Sequence, residues 1–180
     1  MILPIALLLV ATEVHIVDET GAGDFTDIQP AVDAAVDGDV VLVKPGTYGA
    51  VEVVGKTLTI AGERTAEGFA PSVYPGSTVE SILSITDLAA NQRVHVRDLS
   101  LRYDNVTETA LSIEDNVGPV VIENVRAWGW TSFNVIVHGA QVIDSSSVAI
   151  IRSQLDESQE VDASGISRAL LVHAVPLDLE

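Results

Sequence analysis

Val96-Arg97-Asp98-Leu99 and Ile122-Glu123-Asn124-Val125 are one pattern written twice, 26 positions apart. A β-branched residue, a charged residue, a small polar residue and an aliphatic one follow each other in the same order. Ile151-Arg152-Ser153 starts the pattern again after 29 more positions, and Asp144-Ser145-Ser146 can absorb the extra length. A second ladder interleaves with the first: Ile85, Ile113 and Val137, at spacings of 28 and 24. Periods of about 20–50 residues mark chains that stack one structural unit on the next. Each unit holds short strands that cannot bury an apolar face alone. Stacking buries a continuous core and pairs each strand with its neighbour. It also predicts an outward column of Arg97, Glu123 and Arg152, where alternating charge contributes about 0.2–1 kcal/mol per pair. Asp98, Asn124 and Ser153 are expected to stack at the adjacent turn, where small polar side chains bond to backbone.

Upstream of the ladder, Val14-His15-Ile16-Val17-Asp18 reads as a short strand and Gly21-Ala22-Gly23-Asp24 as a turn. Thr26-Asp27-Ile28-Gln29 fits a capping box, with Thr26 as N-cap and Gln29 three residues later. Pro30 is tolerated because first-turn amides lack intrahelical partners. Ile28, Val32, Ala35 and Val36 recur at helical spacing, so a short amphipathic helix over about 27–37 is expected, ended by Gly38. Strands are expected at 40–43, 51–54 and 58–60, and a long loop over 61–78, which is rich in Gly, Pro, Thr and Ala. One helix ahead of many strands suggests a lid over an exposed end of the core.

Composition agrees with an aliphatic, stranded core. Apolar residues make up 47% of the 180 residues and aromatics only 4%, which excludes a disordered chain. Cysteine is absent, so there is no disulfide framework and no thiolate chemistry. The formal net charge of −17 repels nucleic acid and anionic membranes. It also opposes a polyuronate unless a divalent cation bridges the two. Residues 1–11, Met-Ile-Leu-Pro-Ile-Ala-Leu-Leu-Leu-Val-Ala, look like the apolar stretch of a secretory signal and are too short to span a bilayer. The expected location is therefore extracellular or periplasmic; the competing reading of this run is a first strand or a plug over the core. Residues 12–180 are expected to form one domain, more readily a monomer than an oligomer, with Leu170-Leu171-Val172 and Val175-Pro176-Leu177 folding across its last turn.

Residues 16–63 resemble the N-terminal segment of pectinesterases and other pectin-lyase-like proteins. The resemblance is carried by Ile16-Val17-Asp18, by Gly21-Ala22-Gly23-Asp24-Phe25-Thr26-Asp27-Ile28-Gln29, by Val43-Lys44-Pro45-Gly46-Thr47-Tyr48 and by Lys56-Thr57-Leu58-Thr59-Ile60-Ala61-Gly62. It implies an all-β fold: a single-stranded right-handed parallel β-helix, a solenoid with a short N-terminal capping α-helix. It does not carry catalysis across. The Gln-Asp-Thr, Asp-Phe-x-Phe-Gly and Gly-Arg-x-Trp patterns of the esterases are missing, as are the calcium-binding Asp pair and the Arg-x-Pro-x-x-Arg stretch of the lyases.

Four groups of residues invite a functional reading. Trp128, Trp130 and Phe133 lie within Trp128-Gly129-Trp130-Thr131-Ser132-Phe133. In a strand, Trp128 and Trp130 share a face and can stack on sugar rings; the alternative is an aromatic cluster under a loop. Asp104 and Asn105, together with Asp115 in Glu114-Asp115-Asn116, can meet on stacked turns and offer oxygens to Ca²⁺; the alternative is solvated turns. Arg126, one turn beyond Ser100, can stabilise charge in polysaccharide elimination or simply face solvent in an ion pair. His15, His95, His138 and His173 have no metal spacing and read as structural or surface residues. Two functions remain: a non-catalytic module that binds carbohydrate or a partner, and a polysaccharide lyase or esterase with a divergent site.

Overall fold

The structure is a computed structural model that describes residues 11–65, 71–73, 81–103, 109–129, 141–143, 148–151, 153–155 and 169–172. In chain order its strands are β1 (Val14–Val17), β2 (Asp39–Val43), β3 (Thr47–Tyr48), β4 (Val51–Val54), β5 (Leu58–Gly62), β6 (Ser72–Val73), β7 (Ser81–Thr86), β8 (Val94–Arg97), β9 (Ser100–Tyr103), β10 (Thr109–Glu114), β11 (Val120–Glu123), β12 (Arg126–Gly129), β13 (Gln141–Ile143), β14 (Val148–Ile151), β15 (Gln154–Leu155) and β16 (Ala169–Val172). The one helix among the described residues, α1 (Ile28–Ala34), sits between β1 and β2. The fold is all-β.

Among the described residues every strand pairing is parallel, and the strands form three sheets. The first has the order β1-β2-β5-β8-β11-β14-β16, the second β15-β12-β9-β6-β3 and the third β13-β10-β7-β4. From β2 to β15 the chain therefore visits the first, second and third sheets in strict rotation. Alternation within strands sends one side chain set inward. Leu58 and Ile60, Val94 and Val96, and Val120 and Ile122 are buried from the first sheet; Leu101 and Ala127 from the second; Val53, Ile85 and Ile113 from the third. These aliphatics form one core, and β-branched residues predominate because they pack well between pleated surfaces.

The first ladder holds for its first two rungs. Val96 stands opposite Ile122, and Arg97 opposite Glu123. The third rung is displaced by one residue: Ile150 pairs with Ile122, and Ile151, not Arg152, stands opposite Glu123. Ser153 correspondingly meets Val125, whose N–H donates to the Ser153 hydroxyl at 3.1 Å, and does not join Asp98 and Asn124. In the second ladder Ile85 faces Ile113 as expected. The next partner of Ile113 is Val142; Val137 lies outside the described residues. The expected loop over 61–78 is interrupted by the end of β5 and by β6. Leu170-Leu171-Val172 adds a parallel strand beside β14 instead of crossing the end of the core.

The cap also departs from expectation. Asp27, not Thr26, is the N-cap: its carboxylate accepts from the Ile28 N–H at 2.7 Å and also from the Gly49 N–H at 3.2 Å. One acid thus starts the helix and fastens it to the turn before β4. The helix ends at Ala34, ahead of Gly38, because Ala35 is extended and the next amide, Val36 N–H, is taken by the Asp39 carboxylate at 2.8 Å. Ile28, Ala31 and Val32 are buried, whereas Val36 is exposed. Asp27→Ala is expected to cost about 1 kcal/mol in urea unfolding. Thr26→Ala is expected to cost almost nothing.

The outer edge of β1 is covered as well. The Ile16 N–H donates to the Asp24 carboxylate, and the Ile16 carbonyl accepts from the Asp24 and Phe25 amides. An edge strand protected in this way does not offer a template to another chain. No helix of the described residues is long and apolar enough to cross a membrane.

Candidate functional site

The outer face of the first sheet carries the polar cluster that the core-facing alternation leaves behind. On β5, β8 and β11 the outward positions form rows in register. Thr59, His95 and Val121 make one row; Ala61, Arg97 and Glu123 make the next. Just past them the chain turns a corner at Asp98 after β8 and at Asn124 after β11, with φ of 58° and 52°. Among the described residues all four non-glycine positions in this left-handed region are Asp or Asn. Their short polar side chains tolerate it best. The two corners stack: the Asp98 N–H donates to the Glu123 carbonyl, and the Asn124 amide donates to the Asp98 carboxylate.

These residues line a cleft of about 590 Å³: Arg64, His95, Arg97, Asp98, Glu123 and Asn124. The Arg97 guanidinium donates to Asp98 Oδ2 at 3.0 Å, and Arg64 lies 4.0 Å from Asp98 Oδ1. His95 Nε2 is 3.1 Å from Glu123 Oε2. Burial, reinforced by the Arg97 charge and opposed by Asp98, holds the His95 pKa below the usual imidazole range. A carboxylate can only accept, so Nε2 carries the hydrogen of the contact with Glu123. Two guanidinium groups then balance two carboxylates. In a chain with a net charge of −17, the residues that line this cleft carry as many guanidiniums as carboxylates and are dense in both donors and acceptors. Such an array can bond a polyhydroxylated ligand, taking hydrogens from hydroxyl groups at Asp98 and Glu123 and giving them at Arg64, Arg97 and Asn124.

Of the candidate sugar-stacking, metal-binding and charge-stabilising residues singled out from the sequence, Arg126, Trp128 and Asp115 are among the described residues, and none of the three lines this cleft. Arg126 is exposed on β12, in register with Ser100 on the second sheet. Trp128 lies two positions along the same strand, opposite Arg102. Trp130, Phe133, Asp104 and Asn105 are outside the described residues. Asp115 is exposed at a left-handed corner after β10. Its neighbour Asn116 is buried and committed to structure: its amide oxygen accepts from the Leu88 N–H and its nitrogen donates to the Ile85 carbonyl. No group of three or more metal-binding side chains converges among the described residues. The guanidiniums that line this cleft with Asp98 and Glu123 are those of Arg64 and Arg97.

The sequence places Arg97 and Glu123 in one outward column and gives His95 a structural or surface reading, although the same period puts it one strand from Glu123. The signal was the alternation in Val94-His95-Val96-Arg97, which sends His95 and Arg97 to one face. Arg64 follows β5 in an unrepeated segment and left no signal at all. Comparison with known proteins yields no match: no family model, curated protein or solved structure is significantly similar to this chain.

Proposed function

We propose that the chain is a right-handed parallel β-helix of the pectin-lyase-like kind, exported from the cell, that binds a glycan on the outer face of its first sheet without cleaving it. The solenoid reading is supported by the rotation of the chain through three parallel sheets and by the single helix at the N-terminal end of the core. Export is supported by the apolar run of residues 1–11. The observation that carries the binding function is the cleft in which Arg64, Arg97, Asp98, Glu123 and Asn124 present donors and acceptors around His95. A glycan offers the complementary hydroxyl groups. A flat, rigid sheet holds the array in place, so little ordering entropy is lost on binding.

A second reading, glycan cleavage, is favoured by one feature: two carboxylates, Asp98 and Glu123, line the same cleft beside Arg97. One experiment separates the two. Calorimetric titration with gluco-, xylo- and galacturono-hexasaccharides is expected to give saturable binding to at least one of them. Arg97→Ala should weaken that binding about tenfold or more, as loss of a charged hydrogen bond implies, and Arg126→Ala should leave it unchanged. If no hexasaccharide binds, or if only Arg126→Ala weakens binding, the proposal fails. Release of shorter or unsaturated products during the titration transfers the cleft to the second reading.

A further inference from the structure

The outward positions of the first sheet run in rows that cross it from strand to strand. Val14, Val40, Thr59, His95, Val121 and Ala149 are in register from β1 to β14. Ile16, Leu42, Ala61, Arg97 and Glu123 form the row beside it. Among these residues the polar ones lie only on β5, β8 and β11. Toward β1 both rows are aliphatic: Val14 is 50% exposed, and Ile16, Val40 and Leu42 are half-buried. All-parallel sheets are as a rule covered on both faces, which suits such aliphatic outward positions. The helix does not cover this face, because Ile28, Ala31 and Val32 of α1 pack into the core. We infer that the outer face of the first sheet is a self-association surface, on which a second copy of this chain docks face to face about a two-fold axis.

Charge selects a second copy as the occupant. Beside the cleft already described, the face opens toward the start of β8 into a second cleft of about 360 Å³. The charged residues that line the two are Arg64, Arg93 and Arg97, and Asp39, Asp98 and Glu123. Guanidiniums and carboxylates are equal in number there, and the formal net charge of −17 is carried by the rest of the chain. Copies that approach by surfaces rich in the excess acid repel one another, whereas this face sets each sign against the other. An axis parallel to the strands and midway between β8 and β11 lays Arg97 of each copy over Glu123 of the other, because the two are neighbours in register. One contact is thereby made twice, as a two-fold interface requires. Stacked sheets lie about 10 Å apart, a gap that an Arg and a Glu reaching from opposite sides close. The same axis lays β5 on β14, with Thr59 opposite Ala149, and β2 on β16. Strands spaced by about 4.8 Å, each rising about 3.3 Å per residue, make the face about 30 by 13 Å. That is small for a permanent dimer, so a dissociation constant on the order of 10 μM is expected. The inference does not rest on the glycan-binding reading; where both hold, a glycan and a second copy compete for one face.

The test is the mass of the full chain in sugar-free solution, followed by sedimentation equilibrium from about 1 to about 500 μM. It should rise from the mass of one chain toward that of two. Arg97→Glu and Glu123→Arg, each alone, put like charges opposite each other twice and should weaken the dimer about tenfold or more. Mixed in equal amounts, the two variants should restore it, since every such contact is then again Arg with Glu. A variant that merely folds badly is not rescued by mixing. Arg126→Ala, on the second sheet, should leave the equilibrium unchanged. A chain that stays single at every concentration overturns the inference and leaves the face to a glycan or to a foreign protein. A dimer that survives both single variants, or that mixing does not restore, overturns it too. None of these outcomes decides glycan binding, which the titration with hexasaccharides reads separately.

Discussion

Replacing Asp39 with Ala is expected to cost about 3–5 kcal/mol of stability, read as a lowered midpoint in urea unfolding. Asp39 is 2% exposed. Its carboxylate accepts from the Glu13 N–H and the Val36 N–H, both at 2.8 Å, and contacts His15 Nε2 at 3.2 Å. It thereby ties together the lead into β1, the end of α1 and the start of β2. The substitution leaves the buried His15 ring without its partner, at about 1–3 kcal/mol, and the half-buried Glu13 and Val36 amides without theirs at less each. Burial pushes the Asp39 pKa up, but the two amides and the histidine outweigh it and hold the carboxyl below its ordinary value. The sign follows. A carboxyl whose pKa is lower in the folded than in the unfolded state contributes stability at pH above about 4 and loses it as pH falls through the folded value. Asp18, held down chiefly by its Thr20 hydrogen bonds, acts in the same direction, so the acid limb of the native protein is not due to Asp39 alone. The difference between native protein and Asp39→Asn isolates it. That difference should shrink as pH is lowered from about 5 to about 3; a constant difference over this range would contradict the assignment.

How far the sequence could be read follows from where the period is regular. Between β8 and β11 equivalent residues are 26 apart, Val96 to Ile122, and the pattern matches at four consecutive positions. That stretch was legible, including the Arg97–Glu123 pair that became half of the cleft. At the next turn Ile150 and Ile151 are adjacent and alike, and the pattern beginning at Ile151 lies one residue beyond the register, in which Ile150 pairs with Ile122. A one-residue slip reverses which side chains face out, so Arg152 was put in a column that Ile151 occupies. Nearer the N-terminus the spacing swings from 19 between Val40 and Thr59 to 36 between Leu58 and Val94. No fixed period survives such insertions, although the register is continuous in space. The cap failed for a different reason. Thr26 and Asp27 are both good N-cap residues, and what decides between them is the Gly49 amide, 22 residues away in sequence. From the sequence His95 reads as a structural or surface residue, because an isolated histidine gains more only from Glu123 across the strand pair. Arg64 gains it only from the fold.

Gly62→Ala is expected to damage fold and site together, and for one geometric reason. Gly62 ends β5 directly beneath the corner that Asp98 makes after β8. A methyl group there would lie 1.9 Å from the Asp98 carbonyl oxygen and 2.9 Å from Pro71 Cδ. Neither is the free end of a flexible side chain, so the backbone must yield. The only accommodation is to part β5 from β8 at the corner, which carries Asp98 away from Arg64 and disturbs its bonds to Arg97 and Asn124. Overpacking of this kind costs about 1–3 kcal/mol, occasionally more. The same displacement should weaken hexasaccharide binding by about tenfold or more, since the donors and acceptors of the cleft lose their mutual spacing. Gly21→Ala is the control: it lines neither cleft, its added methyl meets only Thr26 Cγ2 at 4.0 Å, and its φ of +82° exacts only a local backbone strain of about 1–2 kcal/mol. It should lower the urea midpoint without altering affinity. If Gly62→Ala binds as tightly as the native protein, the cleft does not depend on the close approach of β5 to β8. The ligand would then be held chiefly by His95 and the β11 side of the cleft, and Arg64 would drop out of the site.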